Sequence, residues 1–332
     1  MQTIQVALPI PLGKVFDYLL PAELEQADCP VGARVYVPFG SRKLVGVVYS
    51  KSLATSETDK LKAVIEILDN KPIIEPAMLE LLDRMARYYH HPIGEILTQA
   101  IPPALRKGKP AAIKGKPRYS LTEKGHTLEA ASLRSAKQKS LHAKLTQGPA
   151  YAAELPDIGK ETIKRAMQQG WVSAENLPIL LHADTQKERP QLNAEQERVL
   201  NNISVEAGFS THLLYGVTGS GKTEVYLRLI EQVVASGGQA LVLVPEIGLT
   251  PQTVRRFTQR LMASIAVIHS NLSESERLDH YLAAFEGKAD VVIGTRSALF
   301  SSMPRLRLII IDEEHDAAYK QQDGCRFHAR DM

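Results

Sequence analysis

Gly216-Val217-Thr218-Gly219-Ser220-Gly221-Lys222-Thr223 reads G-x-x-x-x-G-K-T. Glycines at this spacing let backbone N–H groups converge on phosphate oxygens, with the positive end of the following helix behind them. Gly219, Ser220 and Gly221 are expected to form that cradle. Lys222 is expected to reach the β- and γ-phosphates of a nucleotide, and the Thr223 hydroxyl to hold Mg²⁺. A second group follows the apolar run Leu308–Ile311, namely Asp312-Glu313-Glu314-His315. An apolar strand that ends in acids is the expected other half of a phosphate-loop site. Asp312 would hold Mg²⁺, and Glu313 would accept a proton from, and orient, the attacking water. His315 would sense the γ-phosphate and pass its state on. Each group has a plainer reading, a flexible Gly/Ser turn with a surface lysine and a solvated acidic turn. Their pairing favours nucleotide chemistry.

Other polar positions are more ambiguous. Asn193 and Gln196 are spaced as a capping box, and Gln196 could equally present its amide to an adenine edge. Spacing alone favours the cap. Thr250 and Gln252 leave the apolar run 240–244, and Thr295 and Arg296 leave the run 290–294. All four could meet nucleic-acid phosphates, or cap the next helix. Residues 101–118 carry Arg106, Lys107, Lys109, Lys114, Lys116 and Arg118 and no acid, so they read as a basic linker. Such a linker either follows a phosphate backbone or is a solvated connector.

These side chains need elements to hold them. The apolar runs Leu213–Tyr215, Ala240–Val244, Ile265–Ile268, Asp290–Gly294 and Leu308–Ile311 alternate with helical spacers, which predicts a parallel α/β sheet with its ligands beyond the strand C-termini. Residues 1–70 show short alternating runs separated by Gly and Pro, which predicts a small barrel or curled sheet. Residues 76–91 read as one helix starting at Pro76. Within 119–182, helices over Ala136–Leu145, Ala152–Pro156 and Lys160–Gln169 and a strand at Trp171-Val172 give the order of a winged helix. Its third helix carries Lys160, Lys164 and Arg165.

Composition sets outer bounds. The 332 residues are 44% hydrophobic and 23% charged, with a net charge of +3. That is ordinary globular composition for two or three domains, and the charge by itself does not argue for nucleic acid. The two cysteines, Cys29 and Cys325, form neither a disulfide framework nor a zinc site. Neither a secretory leader nor a membrane-length apolar run is visible, so cytoplasm is the expected compartment.

The ordered set GVTGSGKTEVY, VPEIGLTPQ, GTRSALF and IDEEHDAAYKQQ resembles the superfamily 2 helicases, and among them the primosomal protein N′ (PriA) family of replication-restart helicases. The segments ALPIPLGKVFDYLLP, LKAVIEILD and YYHHPIGEIL resemble that family's DNA 3′-end-binding domain. The resemblance implies a multidomain chain with a β-rich 3′-end-binding domain at 1–103, a basic linker and winged helix at 104–185, and a RecA-like first helicase lobe from 186 to 332. It implies ATP and Mg²⁺ as ligands, forked or single-stranded DNA with a 3′ end as substrate, and primosome proteins and single-strand-binding protein as partners. It makes Gln196 the adenine reader. Phe16, Asp17, Tyr18 and Lys62 fall where the family pockets a 3′ terminus. Tyr319, Arg326 and Phe327 fall in its aromatic-rich loop, which couples DNA contact to hydrolysis, and Cys325 stands where relatives tend to carry an aromatic. The family continues beyond residue 332, so a second lobe with its arginine finger and a cysteine-rich zinc module are expected to be absent. The last sheet is then expected to show an uncovered edge, and ATP turnover by these residues alone to be negligible. The rival expectations are a fork-binding protein without ATPase activity and a P-loop phosphotransferase.

Overall fold

The computed structural model describes residues 2–21, 29–53, 61–129, 132–133, 135–178, 180–182, 189–205, 208–217 and 219–332. Two compact units result. One joins Met1–Ala112 with Leu180–Met332, and the other is Ile113–Ile179.

The first unit begins with a curled sheet. β1 (Gln2–Ala7), β2 (Phe16–Leu20), β3 (Arg34–Phe39), β4 (Arg42–Leu53) and β5 (Glu66–Ile67) pair antiparallel in the order β2-β1-β4-β3-β5. The two ends of this order are stitched together by residues 62–65. Leu19 N–H donates to the Lys62 carbonyl at 3.0 Å, Val64 N–H to Leu19 at 2.9 Å, and Ile65 N–H to Tyr36 at 2.9 Å. The sheet therefore closes on a core of Ile4, Val6, Tyr18, Leu20, Val35, Val37 and Val48. Alternating apolar residues in short strands favour this closure because it leaves little free edge.

Two helices follow, α1 (Pro76–Tyr88) and α2 (Ile93–Ala100), then one turn, α3 (Pro103–Arg106). The strand-to-helix approach is close. A Cβ on Gly94 would lie 1.7 Å from the Leu8 carbonyl oxygen, so only glycine fits there.

The expected linker at 101–118 is instead largely structured. Ala104 and Leu105 are buried, and Arg34, with no exposed surface, explains why. Its guanidinium grips both Asp69 oxygens at 2.8 Å and donates to the Leu105 and Lys109 carbonyls at 2.7 and 2.9 Å. A buried cation needs every one of those acceptors. The backbone at 105–109 is thereby pinned after α2.

The second unit is described by itself. β6 (Lys116–Leu121), β7 (Ala150–Tyr151) and β8 (Val172–Leu177) form an antiparallel sheet in the order β7-β6-β8. Its helices are α4 (Glu123–Thr127), α5 (Ala136–Gln147) and α6 (Lys160–Gln168), with a 3₁₀ turn at Ala152–Glu154. Leu141, Leu145, Ile163, Ala166 and Trp171 fill its core. Lys160, Lys164 and Arg165 are exposed.

The remaining residues of the first unit form an α/β lobe. α7 (Ala194–Asn202) and α8 (Lys222–Ala235) precede β9 (Gln239–Leu243), α9 (Pro251–Arg260), β10 (Ile265–Ile268), α10 (Glu274–Phe285), β11 (Val291–Gly294) and β12 (Leu306–Ile311). The four strands are parallel in the order β10-β11-β9-β12. Near-continuous apolar strands gain from burial on both faces, as β9, β10 and β11 show.

The predicted strand at Leu213–Tyr215 does not form. Residues 211–217 carry no regular structure, and Tyr215 is 94% exposed. β12 is an edge, with Ile309 48% exposed, and no described strand lies beyond it. A run that is apolar on both faces gains little from a single open edge with no cover on its outer side.

Asp69→Ala is expected to lower the stability of this unit by about 3–5 kcal/mol, because it strands the Arg34 charge inside. Urea denaturation followed by circular dichroism checks this. A loss below about 1 kcal/mol would mean that water reaches the guanidinium.

Candidate nucleotide and nucleic-acid sites

The phosphate loop runs into α8. Gly219 and Gly221 have φ of +85° and +87°, the left-handed region that glycine tolerates, and Gly221 is the N-cap of α8. Thr218 lies outside the described residues. Lys222 Nζ donates to the Gly216 carbonyl at 2.6 Å and the Val217 carbonyl at 3.3 Å. The ammonium thus satisfies itself on its own loop.

Gln196 serves two neighbours. It completes the capping box with Asn193, accepting from Asn193 N–H at 3.0 Å while Asn193 Oδ1 accepts from Gln196 N–H at 2.8 Å. Its Nε2 also donates to the Gly221 carbonyl at 3.3 Å. A Cβ on Gly221 would meet that amide at 2.4 Å and push the Gln196 side chain aside, while the φ of +87° is what calls for glycine.

Asp312 follows the last residue of β12. Two phenols hold it. Tyr226 donates to Asp312 Oδ1 at 3.2 Å, and Tyr319 donates to the Asp312 carbonyl at 2.6 Å. Burial, and then the neighbouring Glu313 carboxylate, push the Asp312 pKa above the ordinary range. Glu313 adopts φ +47° without being glycine, a strained backbone of the kind found at functional turns. The His315 ring is largely exposed, 3.7 Å from Glu313.

Sequence reasoning missed Tyr226. The available signal was its spacing, because four residues after Lys222 is one helical turn and the same face. Its bond to Asp312 draws the first turns of α8 toward the end of β12. Thr223 and Asp312 are hard oxygen donors of the kind Mg²⁺ prefers, and a carboxylate with raised pKa gains from a nearby dication, so these residues fit the ion. Among the described residues no cluster of three or more His, Cys, Asp or Glu could hold a metal.

A cleft of about 160 Å³ opens at the C-terminal ends of the strands, lined by Glu246, Ser270, Arg277, Thr295, Arg296 and Tyr319. Thr295 and Arg296 therefore share a site. Arg296 Nη1 donates to the Ala318 and Lys320 carbonyls at 2.9 and 2.6 Å, which ties that site to the turn after the acids. Arg277, also missed in the sequence, contributes a buried Nε that has no hydrogen-bond partner among the described residues. Thr250 is not among the lining residues. Its hydroxyl caps α9 by accepting from Thr253 N–H at 3.1 Å, and Gln252 is exposed on the same turn.

Two expected DNA contacts need correction here. Tyr319 and Phe327 are 1% and 2% exposed, so neither ring is available to stack on a base in this conformation. Tyr319 supports Asp312, and Phe327 packs edge-on against Phe300 with centroids 5.3 Å apart. Arg326 between them is exposed. Cys325 is buried, and burial pushes its thiol pKa up to about 11, so it is a packing residue.

At the other end of the unit, β2 alternates. Asp17 is exposed and accepts from Gln5 Nε2 at 3.2 Å. Lys62 is exposed on the segment stitched to Leu19. Phe16 is half-buried edge-on against Phe39, with Lys14 Nζ 5.2 Å from its centroid. Tyr18 is a further correction. It is 4% exposed and donates to the Pro38 carbonyl at 3.1 Å, so it belongs to the core.

Residues 5–102 match the family described as a 3′ DNA-binding domain of PriA, and residues 193–332 match the DEAD/DEAH box helicase family. The chain is 38% identical over 346 aligned residues to the replication restart protein PriA of Haemophilus influenzae, covering all of this chain and 47% of the relative. It is 33% identical to that of Chlamydia pneumoniae, covering 97% of this chain and 45% of the relative. Against that of Bacillus subtilis it is 30% identical, covering 97% and 49%. The chain spans about half the length of the curated relatives it matches.

The raised Asp312 pKa has a sign. The folded state binds this proton more tightly than the unfolded state, so ionising Asp312 costs stability above its folded pKa, and that cost vanishes below about 3.8. Asp312→Asn is therefore expected to raise the Tm at pH 7.5 in the absence of divalent ions. The gain should shrink as pH falls through the raised pKa toward 3.8. Scanning calorimetry at pH 7.5 and 4.5 checks this, and an equal gain at both would remove the electrostatic account.

Proposed function

We propose, on the premise that this chain belongs to the PriA family and corresponds to the N-terminal portion of its members, that it is the fork-recognising and nucleotide-binding part of an ATP-dependent 3′-to-5′ DNA helicase. In this reading the full-length protein acts at stalled or repaired replication forks and starts primosome assembly, with primosome proteins and single-strand-binding protein as partners. One observation carries it. A domain matched to 3′ DNA binding and a phosphate loop facing an acid-tipped strand lie in one compact unit.

The domain assignment in this reading is 1–103 for 3′-end binding, 104–185 for the basic stretch and winged helix, and 186–332 for the first helicase lobe. The order α5, short turn, α6, β8 supports a winged helix, and the exposed cations of α6 support a nucleic-acid face on it. No described helix is long and apolar enough to cross a membrane, and the assigned compartment is the cytoplasm, where the DNA is.

The chain's residues take these roles. The amides of Gly219, Ser220 and Gly221 hold the phosphate chain, and Lys222 exchanges the Gly216 and Val217 carbonyls for β- and γ-phosphate oxygens. Thr223 and Asp312 would hold Mg²⁺, which when bound neutralises charge on the phosphate oxygens. Tyr226 orients the Asp312 carboxylate. Glu313 orients the attacking water and takes its proton, and His315 beside it responds to the γ-phosphate. Gln196, already against Gly221, reads adenine with its amide.

Thr295 and Arg296 meet a DNA strand in the cleft, Thr250 and Gln252 flank it on α9, and Arg326 adds a cation. Tyr319 contributes through Asp312, because Arg296 fastens the carbonyls on either side of it. At the barrel, Asp17 accepts a hydrogen bond from a 3′-OH and repels a 3′-phosphate, Lys62 meets the backbone, and Phe16 offers a ring to the terminal base.

Nucleotide and fork binding separate the parts. Lys222→Ala is expected to abolish Mg–ATP binding and any DNA-stimulated hydrolysis while leaving fork binding unchanged, as titration with a fluorescent nucleotide and a coupled ATPase assay would read. Hydrolysis indifferent to DNA would favour a small-molecule phosphotransferase. Asp17→Ala is expected to weaken binding to forks with a 3′-OH at the junction about tenfold and, by removing the repelling charge, to strengthen binding to 3′-phosphate forks. Equal affinity of wild type and variant for the 3′-OH fork would remove Asp17 from the site.

A further inference from the structure

A second cleft, of about 320 Å³, is lined by residues of β3, β4, α2 and α3 and by none of β2. Its floor is apolar, from Val45, Val47 and Ile101, and one wall is the ring of Tyr36 on β3. Three cations line it from separate places in the chain. Lys43 comes from β4, Arg106 from the end of α3, and Lys107 from the turn after it, and among the described residues no Asp or Glu lines the cleft.

The wall is built, not incidental. Tyr36 donates to the Lys107 carbonyl at 3.3 Å, and Gly108, at φ +73°, passes so close that a Cβ there would sit 2.0 Å from the phenol oxygen. Arg106 is anchored by the Ile101 and Gln99 carbonyls, both at 2.9 Å, through Nε and Nη2. The exposed Lys43 ammonium stands 4.3 Å from the Tyr36 ring centroid, over its face. Lys107 and Lys109 share one carboxylate, Glu274, at the start of α10, so the local balance stays positive. Burial and the nearby Arg277 both act against the Arg106 charge, which an arriving anion would relieve.

We propose that this cleft is a second DNA contact, holding one nucleotide of a single strand with its base on Tyr36 and its phosphate against Lys43, Arg106 and Lys107. The proposal rests on the reading that this chain binds DNA, and it adds a contact that needs no 3′ terminus. Size and chemistry select this occupant. The volume is at the small end of ligand pockets, which admits one nucleotide and excludes a duplex. An aromatic face with flanking cations and an apolar floor is what an unpaired base and its phosphate require. Lys43 then moves from the ring face, which the base covers, to the phosphate beside it.

Fluorescence anisotropy of the whole chain tests this with an oligothymidylate of roughly fifteen nucleotides ending in a 3′-phosphate, which keeps the Asp17 pocket out of the measurement. Tyr36→Leu should weaken binding about tenfold, and Tyr36→Phe, which keeps the ring, should stay within about twofold of wild type. Lys43→Gln, at an exposed position, should reduce the slope of log K against log salt by about 0.7. Wild-type affinity and slope in Tyr36→Leu and Lys43→Gln would overturn the proposal. If those variants are silent while Asp17→Ala still changes 3′-OH preference, DNA binding stands and this cleft falls. If the wild type binds neither this oligonucleotide nor a fork with a 3′-OH at the junction, both fall. If a polyglutamate peptide binds in a Lys43- and Tyr36-dependent way while the oligonucleotide does not, the cleft belongs to an acidic protein partner and the proposal is likewise overturned.

Discussion

A guanidinium with no exposed surface must find all its acceptors inside the protein, and Arg34 finds them in two stretches of chain. Asp69 supplies two oxygens, and Leu105 and Lys109 supply carbonyls. The energetic weight of this arrangement lies less in the attraction than in the penalty for breaking it. Because the acceptors are distant in sequence, the bond set fixes where residues 105–109 run after the helices. α3 then packs on α10 of the lobe, and Lys107 and Lys109 reach Glu274. The same seam carries the Tyr281 hydroxyl on the Ile73 carbonyl at 2.9 Å, and Tyr89 between Asp331 and the His328 amide. These contacts, the buried Tyr281–Ile73 bond among them, join the barrel and the phosphate-loop lobe into one compact unit.

The nucleotide end follows a related logic. Asp312 is placed where burial opposes its charge, with a phenol on its carboxylate and another on its carbonyl. Lys222 is occupied with two carbonyls of its own loop. Both ionic groups are held by partners that a phosphate and a dication can outcompete. The arrangement is satisfied by the chain's own groups, so the site carries no unpaired buried charge on Lys222 or Asp312.

The turn after the acids shows how far neighbouring positions can diverge. Tyr319, Arg326 and Phe327 lie within one short stretch, yet the two rings are buried and the cation is exposed. Tyr18 and Asp17 diverge in the same way on β2, because strand alternation sends adjacent side chains to opposite faces. Motif resemblance groups such residues together. Burial separates those that can touch a ligand from those that hold the others in place.

Local spacing made the short-range patterns legible in the amino-acid sequence. The glycines and lysine of the phosphate loop, the acids at the end of an apolar strand, the capping pair Asn193 and Gln196, and the strand and helix periods were legible because each depends on residues within a few positions of one another. It could not determine the partners of Arg34, the bond from Tyr226 to Asp312, the packed state of the basic stretch after α2, or the failure of Leu213–Tyr215 to pair. Those depend on which groups meet across tens to hundreds of residues and on whether a sheet edge has a neighbour. Tertiary structure decided them, because a buried charge or an open strand edge has no energy of its own until the surrounding acceptors and strands are in place.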